Sequence, residues 1–351
     1  MKLDELNFSL PQELIALKPI NPRHNSDILE VKDGLRILKF HKLIDLLDKG
    51  DCLIVNNTKV IPGSLNGFIH SKKISLTLNK LIKKKPVVWE AFCKPLKKVK
   101  QNDKIYFNDF FFCEVKRILK NKISSKILVE FKMPFDEFYK EIKKFGKLAL
   151  PPYIVKKRNY LSSDNTNYQT NFSEVEGAIA APTASLHFSR EMIAKLKEKG
   201  VNFVEITLHV NGSTFLPIRV DNTDLHQMHY EYGKISKYSA KKINQTRLNG
   251  KKIIAVGTTV LRLLEASKDK NGKILPFEGE TDIFIKPGWK VNTIDALITN
   301  FHTPKSSLLL LVYAIFGKKK IREVYDYAVK KKMRFLSYGD ACLFWLKNEK
   351  K

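Results

Sequence analysis

Four apolar runs in this chain each end abruptly in a polar cluster. The run 51–62 carries the polar residues Asn56-Asn-Thr-Lys59, and the run 201–210 delivers His209 at its end and then Asn211-Gly-Ser-Thr214. The run 251–256 is followed by Gly257-Thr-Thr259, and the run 294–298 by Thr299-Asn-Phe-His302. Short runs this rich in Val and Ile, bounded by turn residues, read as buried strands. Helical periods separate them: one over 189–199, capped by Ser189 and closed by Gly200, and one over 260–267. Alternating strands and helices predict an α/β domain, and such domains bind ligands beyond the carboxyl ends of their strands. The polar clusters would then line a single sheet edge.

Between 64 and 148 the texture changes. Short β-rich runs at 74–78, 87–93, 104–107, 110–117 and 126–131 alternate with charged turns, and a long helical period first appears at 135–145. This spacing predicts a small β-barrel inserted into a mixed-sheet α/β domain. Residues 1–63 and 149–351 would form that discontinuous domain, and 64–148 the basic insert. Two domains also suit a chain of 351 residues. Elsewhere the pattern predicts helices over 8–17 and 40–49, a strand over 281–285 and an apolar helix from Ser306 or Ser307 to Phe316. The polar stretch before Tyr168 reads as a mobile loop.

The formal net charge is +27, enough to attract a polyanion. Residues 70–150 alone hold 21 Lys and Arg against 8 Asp and Glu, a net of +13. Ten of the 63 basic residues are Arg, which equally fits the lysine drift of an A/T-rich genome. Phe110-Phe-Phe112 offers rings on which bases can stack, although a barrel also needs such rings for its core. The longest apolar run, 308–316, is too short for a membrane span, which needs about 20 residues. Acidic residues in Met1-Lys-Leu-Asp-Glu-Leu6 argue against a signal peptide. Cys52, Cys93, Cys113 and Cys342 have no paired spacing, which suits a reducing compartment. The expectation is a cytoplasmic protein without membrane association. No heptad demands self-association, so a monomer is expected.

Histidines gather where Gly, Pro and hydroxyls are dense. His187 ends Gly177-Ala-Ile-Ala-Ala-Pro-Thr-Ala-Ser-Leu-His187, and His209 opens the Asn-Gly-Ser-Thr turn. His226 and His229 lie in His226-Gln-Met-His-Tyr-Glu231, and His302 follows Asn300. Glycine lets backbone approach a ligand closely, and loops on rigid elements carry chemistry. His226-x-x-His229-x-Glu231 invites a metal reading, but HExxH and paired cysteines are absent. General acid–base work fits the same side chains. No P-loop, G-x-G-x-x-G or G-x-S-x-G phrase occurs. Gly257-Thr-Thr259 at a helix start offers N–H groups to a carboxylate or phosphate; a plain helix cap is the competing reading. By composition alone Asn56, Asn57 and Thr58 read equally well as turn residues.

Twelve phrases together resemble the S-adenosylmethionine:tRNA ribosyltransferase-isomerase family of queuosine biosynthesis, along nearly the whole chain. They are LPQELIA, GDCLIVNNTKVIP, WEAFCKP, LALPPYI, YQT, GAIAAPTASLHF, TLHVNGSTFLPI, HQMHYE, AVGTTVLRLLE, TDIFIKPG, LITNFHTPKSSLLLLV and FLSYGDA. The resemblance implies transfer and isomerisation of the ribosyl part of S-adenosylmethionine onto 7-aminomethyl-7-deazaguanine at the wobble position of tRNAs with GUN anticodons. Epoxyqueuosine tRNA, adenine and methionine would be the products. It also implies an α/β domain carrying an inserted β-barrel. Neither metal nor added cofactor is implied; S-adenosylmethionine is a co-substrate. On this resemblance His187, His209, His229, Glu231 and Asp340 are candidates for proton transfer. Gly257, Thr258 and Thr259 would hold the methionine carboxylate, and Asn300 and His302 the nucleoside. Asn57, Thr183 and Tyr338 would line the same substrate site, while Lys59 and the basic insert would meet tRNA phosphates.

Three departures from the family pattern stand out. Arg23-His-Asn-Ser-Asp27 has Asp where the family has a second Arg, and Val60-Ile-Pro-Gly-Ser-Leu65 lacks another Arg. A Gly-Gly-x-x-Glu hairpin near 70–77 is replaced by His70-Ser-Lys-Lys-Ile-Ser75. Lost arginines weaken bidentate contacts to phosphate or carboxylate. Two other functions compete: a metal-dependent hydrolase on His209, His226, His229 and Glu231, and a non-catalytic tRNA-binding protein.

Overall fold

A computed structural model describes residues 1–120, 125–216, 218 and 220–346. Pro217 of the quoted phrases and Lys122 of the basic stretch lie outside them. The strands in chain order begin with β1 (Asp27–Val31), β2 (Leu35–Lys39), β3 (Cys52–Asn56) and β4 (Thr58–Val60). Then follow β5 (Ser64–Ile69), β6 (Lys72–Lys83), β7 (Val87–Lys94), β8 (Lys104–Tyr106), β9 (Phe112–Lys120) and β10 (Ser125–Phe131). The remainder are β11 (Val175–Ala178), β12 (Asn202–Leu208), β13 (Glu231–Ile235), β14 (Ile253–Val256), β15 (Phe277–Thr281), β16 (Ala296–Asn300) and β17 (Ala341–Trp345).

Nine of these strands form one mixed sheet in the order β15-β13-β12-β3-β14-β16-β17-β1-β2. β12, β3, β14 and β16 run parallel, as their buried runs predict. Their side chains alternate between two cores. Cys52 and Ile54 face the helices Lys237–Leu248, Thr258–Ala266, Ser307–Phe316 and Lys318–Lys330. Leu53 and Val55 face Phe40, Leu43 and the helix Arg190–Glu198. The Ser189 hydroxyl caps that last helix by accepting from Met192 N at 3.1 Å, and Gly200 closes it at φ +84°. β17 runs antiparallel to β16 and parallel to β1. The starts of β1 and β17 therefore share an edge with the ends of β3, β12, β14 and β16. That edge collects residues 26–27, 56–59, 209, 257–259, 300 and 340.

The inserted strands close into a barrel, β10-β7-β6-β5-β8-β9. Its interior is filled by Leu65, Leu76, Trp89, Phe111, Val129 and Phe131, with Phe138 and Ile142 of the helix Phe135–Phe145 packed against them. The sheet and the barrel are the two architectures the sequence pattern predicts.

Some local expectations differ. The period over 40–49 yields a short turn of helix, Leu43–Leu46, and 8–17 holds a 3-10 turn, Gln12–Leu14. The strand expected at 281–285 forms earlier, as β15, because Phe277–Thr281 pairs with β13 while Ile285 turns into the core. Residues before Tyr168 pack rather than hang free: Arg158 grips Asp164 through both guanidinium nitrogens at 2.8 and 2.7 Å, and Tyr168 is buried. No helix among the described residues is long and apolar enough to cross a membrane.

Candidate active site

Two imidazole neighbourhoods stand on the polar edge. The first is built on the 3-10 turn Thr183–His187, which follows Pro182 and lies against the end of β16. His187 is buried and stacks on Phe40 with ring centroids 4.8 Å apart. Its Nδ1 meets Ser26 Oγ at 2.7 Å and its Nε2 meets Asn300 Nδ2 at 3.3 Å. Asn300 Oδ1 accepts the Thr183 hydroxyl at 2.8 Å, leaving its amide to donate to Nε2. The proton on the ring is then assigned to Nδ1. Burial first, then the Arg334 and Arg23 charges, push the imidazole down to about 3. It is a neutral ring with both nitrogens engaged.

The helix Thr258–Ala266 starts beside this turn. Gly257 has φ +103°, and a Cβ on it would sit 3.7 Å from Ala184 Cβ. No side chain caps the helix, so its first N–H groups are available to an anion. Among the described residues the buried hydroxyls of Thr259, Ser185 and Tyr338 and the Arg334 Nη1 have no hydrogen-bond partner. Asp340 fixes the wall behind them: its oxygens accept from Asp27 N at 2.9 Å and Arg334 N at 2.7 Å. Burial raises the Asp340 carboxyl, and those two N–H groups oppose the rise.

The second neighbourhood is built on His209 at the end of β12. Its Nδ1 meets Thr58 Oγ1 at 2.7 Å, and its ring stacks on Tyr232 at 5.6 Å. Gly177 makes room for the ring, since a Cβ there would fall 2.7 Å from Nε2. Among the described residues Nε2 has no hydrogen-bond partner. Burial lowers this imidazole to about 4. Asn56 holds the strand end by accepting from Leu208 N and Thr58 N and donating to Leu208 O. Asn57 is used in the same way, on Thr207 and Glu205.

Gln169 links the two neighbourhoods. Its side chain exchanges two hydrogen bonds with the Val60 backbone at 3.1 and 2.6 Å. Its carbonyl accepts from Arg23, three residues from the Ser26 that holds His187.

The other expected residues occupy different surroundings. Glu231 precedes the Tyr232 that stands opposite His209, so its side chain projects to the other face of the sheet, where it is fully engaged. One oxygen takes Arg262 Nη1 at 2.5 Å and the other Asn211 N at 3.2 Å. His302 is tied to Thr299 Oγ1 at 3.1 Å and through its backbone to Tyr325 Oη, and burial lowers it to about 3. His229 stands at the barrel, where burial, Lys126 and His226 lower it to about 4. Lys59 pairs with Glu176 at 3.3 Å. Among the described residues no three His, Cys, Asp or Glu side chains converge as metal ligands. With Glu231 already held by Arg262, the hydrolase reading loses its carboxylate.

The family model described as "Queuosine biosynthesis protein" matches residues 3–344. The chain belongs to the S-adenosylmethionine:tRNA ribosyltransferase-isomerase family. A relative of that name from Ruegeria sp. is 42% identical, covering 98% of this chain and 99% of its own. Another, from Rickettsia peacockii, is 41% identical over the same shares of each chain. A crystal structure of the S-adenosylmethionine tRNA ribosyltransferase of Thermotoga maritima is similar at TM-score 0.54 and 30% identity, covering 97% of this chain and 99% of that one.

Within the family frame, Asp27 stands where an arginine is usual, and its carboxylate pairs with Lys39 at 2.7 Å. It also lies within electrostatic reach of Arg334. Ser26, Arg334, Arg262, Ser185 and Gln169 escaped the sequence reading as site residues. Ser26, Ser185 and Gln169 sit inside the quoted or compared phrases. Arg334 follows Lys330, Lys331 and Lys332, where it reads as surface charge.

Proposed function

We propose that this protein transfers and isomerises the ribosyl group of S-adenosylmethionine onto 7-aminomethyl-7-deazaguanine at the wobble position of GUN-anticodon tRNA, with the polar edge as its active site. The observation that carries the assignment of the site is the hydrogen-bonded set Thr183, Asn300 and His187 beside the helix start at Gly257, which lies against Ala184 and has no side-chain cap among the described residues. Gly257, Thr258 and Thr259 at the helix start receive the methionine carboxylate. Thr183, Asn300 and His187 form a neutral hydrogen-bonding wall for the nucleoside, with His302 and Tyr338 behind it. Lys59, Asn57 and the basic insert face the RNA.

The sulfonium acidifies the ribose C5′ protons, so a base must reach that carbon. His209 is the group we assign to this step, because Thr58 engages its Nδ1 and leaves Nε2 without a partner among the described residues, whereas both nitrogens of His187 are engaged. It is neutral at pH 7 and can take the proton at Nε2. Adenine leaves as its glycosidic C–N bond breaks and takes the proton held by His209, the neutral aminomethyl nitrogen forms a C–N bond to the ribosyl carbon and releases one proton to solvent, and epoxide closure breaks the C–S bond and expels methionine as a neutral thioether. Glu231 and Asp340, whose oxygens are already taken, position Asn211 and the strand ends; His229 serves from the barrel side. Residues 64–148 act as an inserted domain on 1–63 and 149–351, in a cytoplasmic monomer. Incubation with S-adenosylmethionine and tRNA carrying the deazaguanine precursor is expected to release adenine. No release with a verified substrate overturns the reading.

A further inference from the structure

The barrel has two unlike halves. β6, β7 and β10 face the α/β domain. Asn79 accepts the Ser213 hydroxyl at 3.1 Å, Lys80 pairs with Glu280 at 2.7 Å, and a Cβ on Gly212 would lie 3.4 Å from the Phe92 ring. β5, β8 and β9 complete the closed barrel. On its outer surface stand aromatic rings in cross-strand register. Phe68 of β5 is opposite Tyr106 of β8, and Tyr106 is opposite Phe112 of β9. Directly opposed residues project to the same side of a sheet, at strand intervals of about 4.8 Å. Phe68 is 49% exposed and Tyr106 41%. Tyr106 and Phe112 rings lie 5.3 Å apart.

Phe110, in the turn that joins β8 to β9, is 88% exposed. It is held outward rather than left loose. Asn108 Oδ1 accepts from Phe110 N at 2.8 Å and Phe111 N at 2.6 Å. On either side of it Phe107 and Phe111 pack together, and Phe111 is buried against Phe131. Folding thus spends two rings of this loop on the core and leaves the third in water. Lysines rim the row: Lys73 is the registered neighbour of Phe68, and Lys104 Nζ lies 5.4 Å from the Phe112 ring centre. Glu114 on the same face is already matched by Lys116 and Lys132, each at 2.9 Å.

We infer that Phe68, Tyr106, Phe110 and Phe112 form a stacking platform for unpaired bases of the RNA substrate, separate from the pocket that holds the modified nucleotide. Exposed rings spaced along adjacent strands and rimmed by lysine suit single-stranded nucleic acid, which offers a π-face at every base and a phosphate at every step. The charge decides against a second copy of this chain as occupant: the stretch 70–150 carries a net +13 and repels itself. The inference rests on tRNA being the substrate.

The test is a tRNA-binding titration with the full chain, run beside steady-state turnover. Phe110→Ala combined with Tyr106→Ala is expected to weaken tRNA binding by roughly tenfold or more, since stacking contributes about 1–3 kcal/mol per base. The KM for tRNA should rise in step, with kcat at saturating tRNA and the KM for S-adenosylmethionine unchanged. Phe110→Trp should keep wild-type binding, and Phe110→Leu should not. Wild-type affinity in the double variant, or in Phe110→Leu, overturns the platform while leaving the enzyme reading intact. Wild-type protein that binds tRNA but releases no adenine overturns the activity, and the binding comparison still decides the platform. A wild-type dimer that these substitutions dissociate assigns the surface to self-association instead and overturns the inference.

Discussion

His187 and His209 occupy the same sheet edge and both are neutral imidazoles, yet they are not equivalent: His187 is buried and His209 half-buried. His187 is saturated: Ser26 and Asn300 engage its two nitrogens and Phe40 covers its face. His209 has one nitrogen fixed by Thr58 and the other presented beside Gly177. Burial lowers both imidazoles, so a perturbed pKa does not separate them. The count of engaged nitrogens does. A saturated imidazole organises its neighbours, whereas a half-engaged one can exchange a proton.

The largest effect that tests this contrast is on turnover. His209→Ala is expected to lower kcat by about 10²- to 10⁴-fold, the usual contribution of a general base, with little change in Tm. If adenine release survives at wild-type rate, His209 is not the base. Next is the buried carboxylate of Glu231 on the opposite face of β13. Arg262→Met would strand the buried Glu231 charge and should cost about 3–5 kcal/mol in denaturant unfolding; a change under about 1 kcal/mol would mean Glu231 is not dependent on Arg262. His187→Ala should act mainly on the fold, leaving Ser26 and Asn300 without a partner at about 1–3 kcal/mol for each buried group left unpaired. A kcat loss in His187→Ala as deep as that of His209→Ala, with Tm unmoved, would erase the distinction.

The smallest effect is graded with pH. The imidazoles of His187, His209 and His302 sit at about 3, 4 and 3 in the fold, against about 6.5 unfolded. The unfolded chain therefore binds more protons between those values, and stability falls as pH drops from about 6.5 toward 3. Unfolding midpoints measured from pH 7 to 4 should fall steadily, and the slope should flatten in His187→Ala. An unchanged slope in that variant would show that His187 does not contribute to it.

Much of the architecture was legible because its causes are local. The Val- and Ile-rich runs ending in polar residues give β3, β12, β14 and β16, and Ser189 and Gly200 bracket their helix as capping chemistry requires. β13 and β17 were harder to see. Each is set by its neighbours in the sheet more than by its own pattern, as with Glu231-Tyr-Gly-Lys-Ile235. The site divided in the same way. Gly257, Thr259, Thr183, Asn300 and His187 could be picked out from composition and resemblance; Thr183, Asn300 and His187 share hydrogen bonds, and Gly257 lies against Ala184. Arg262, Arg334 and Ser26 could not, since nothing local marks a residue whose partner is remote.

The chain's periodicities by themselves determined a polar-edged α/β sheet and a basic barrel, because side-chain alternation and helix caps act within a few residues. Only the tertiary structure decided which imidazole is closed and which is open. Ser26 reaches His187 across 161 positions and Thr58 reaches His209 across 151. Hydrogen-bond saturation at such separations is set by where the sheet brings its strand ends.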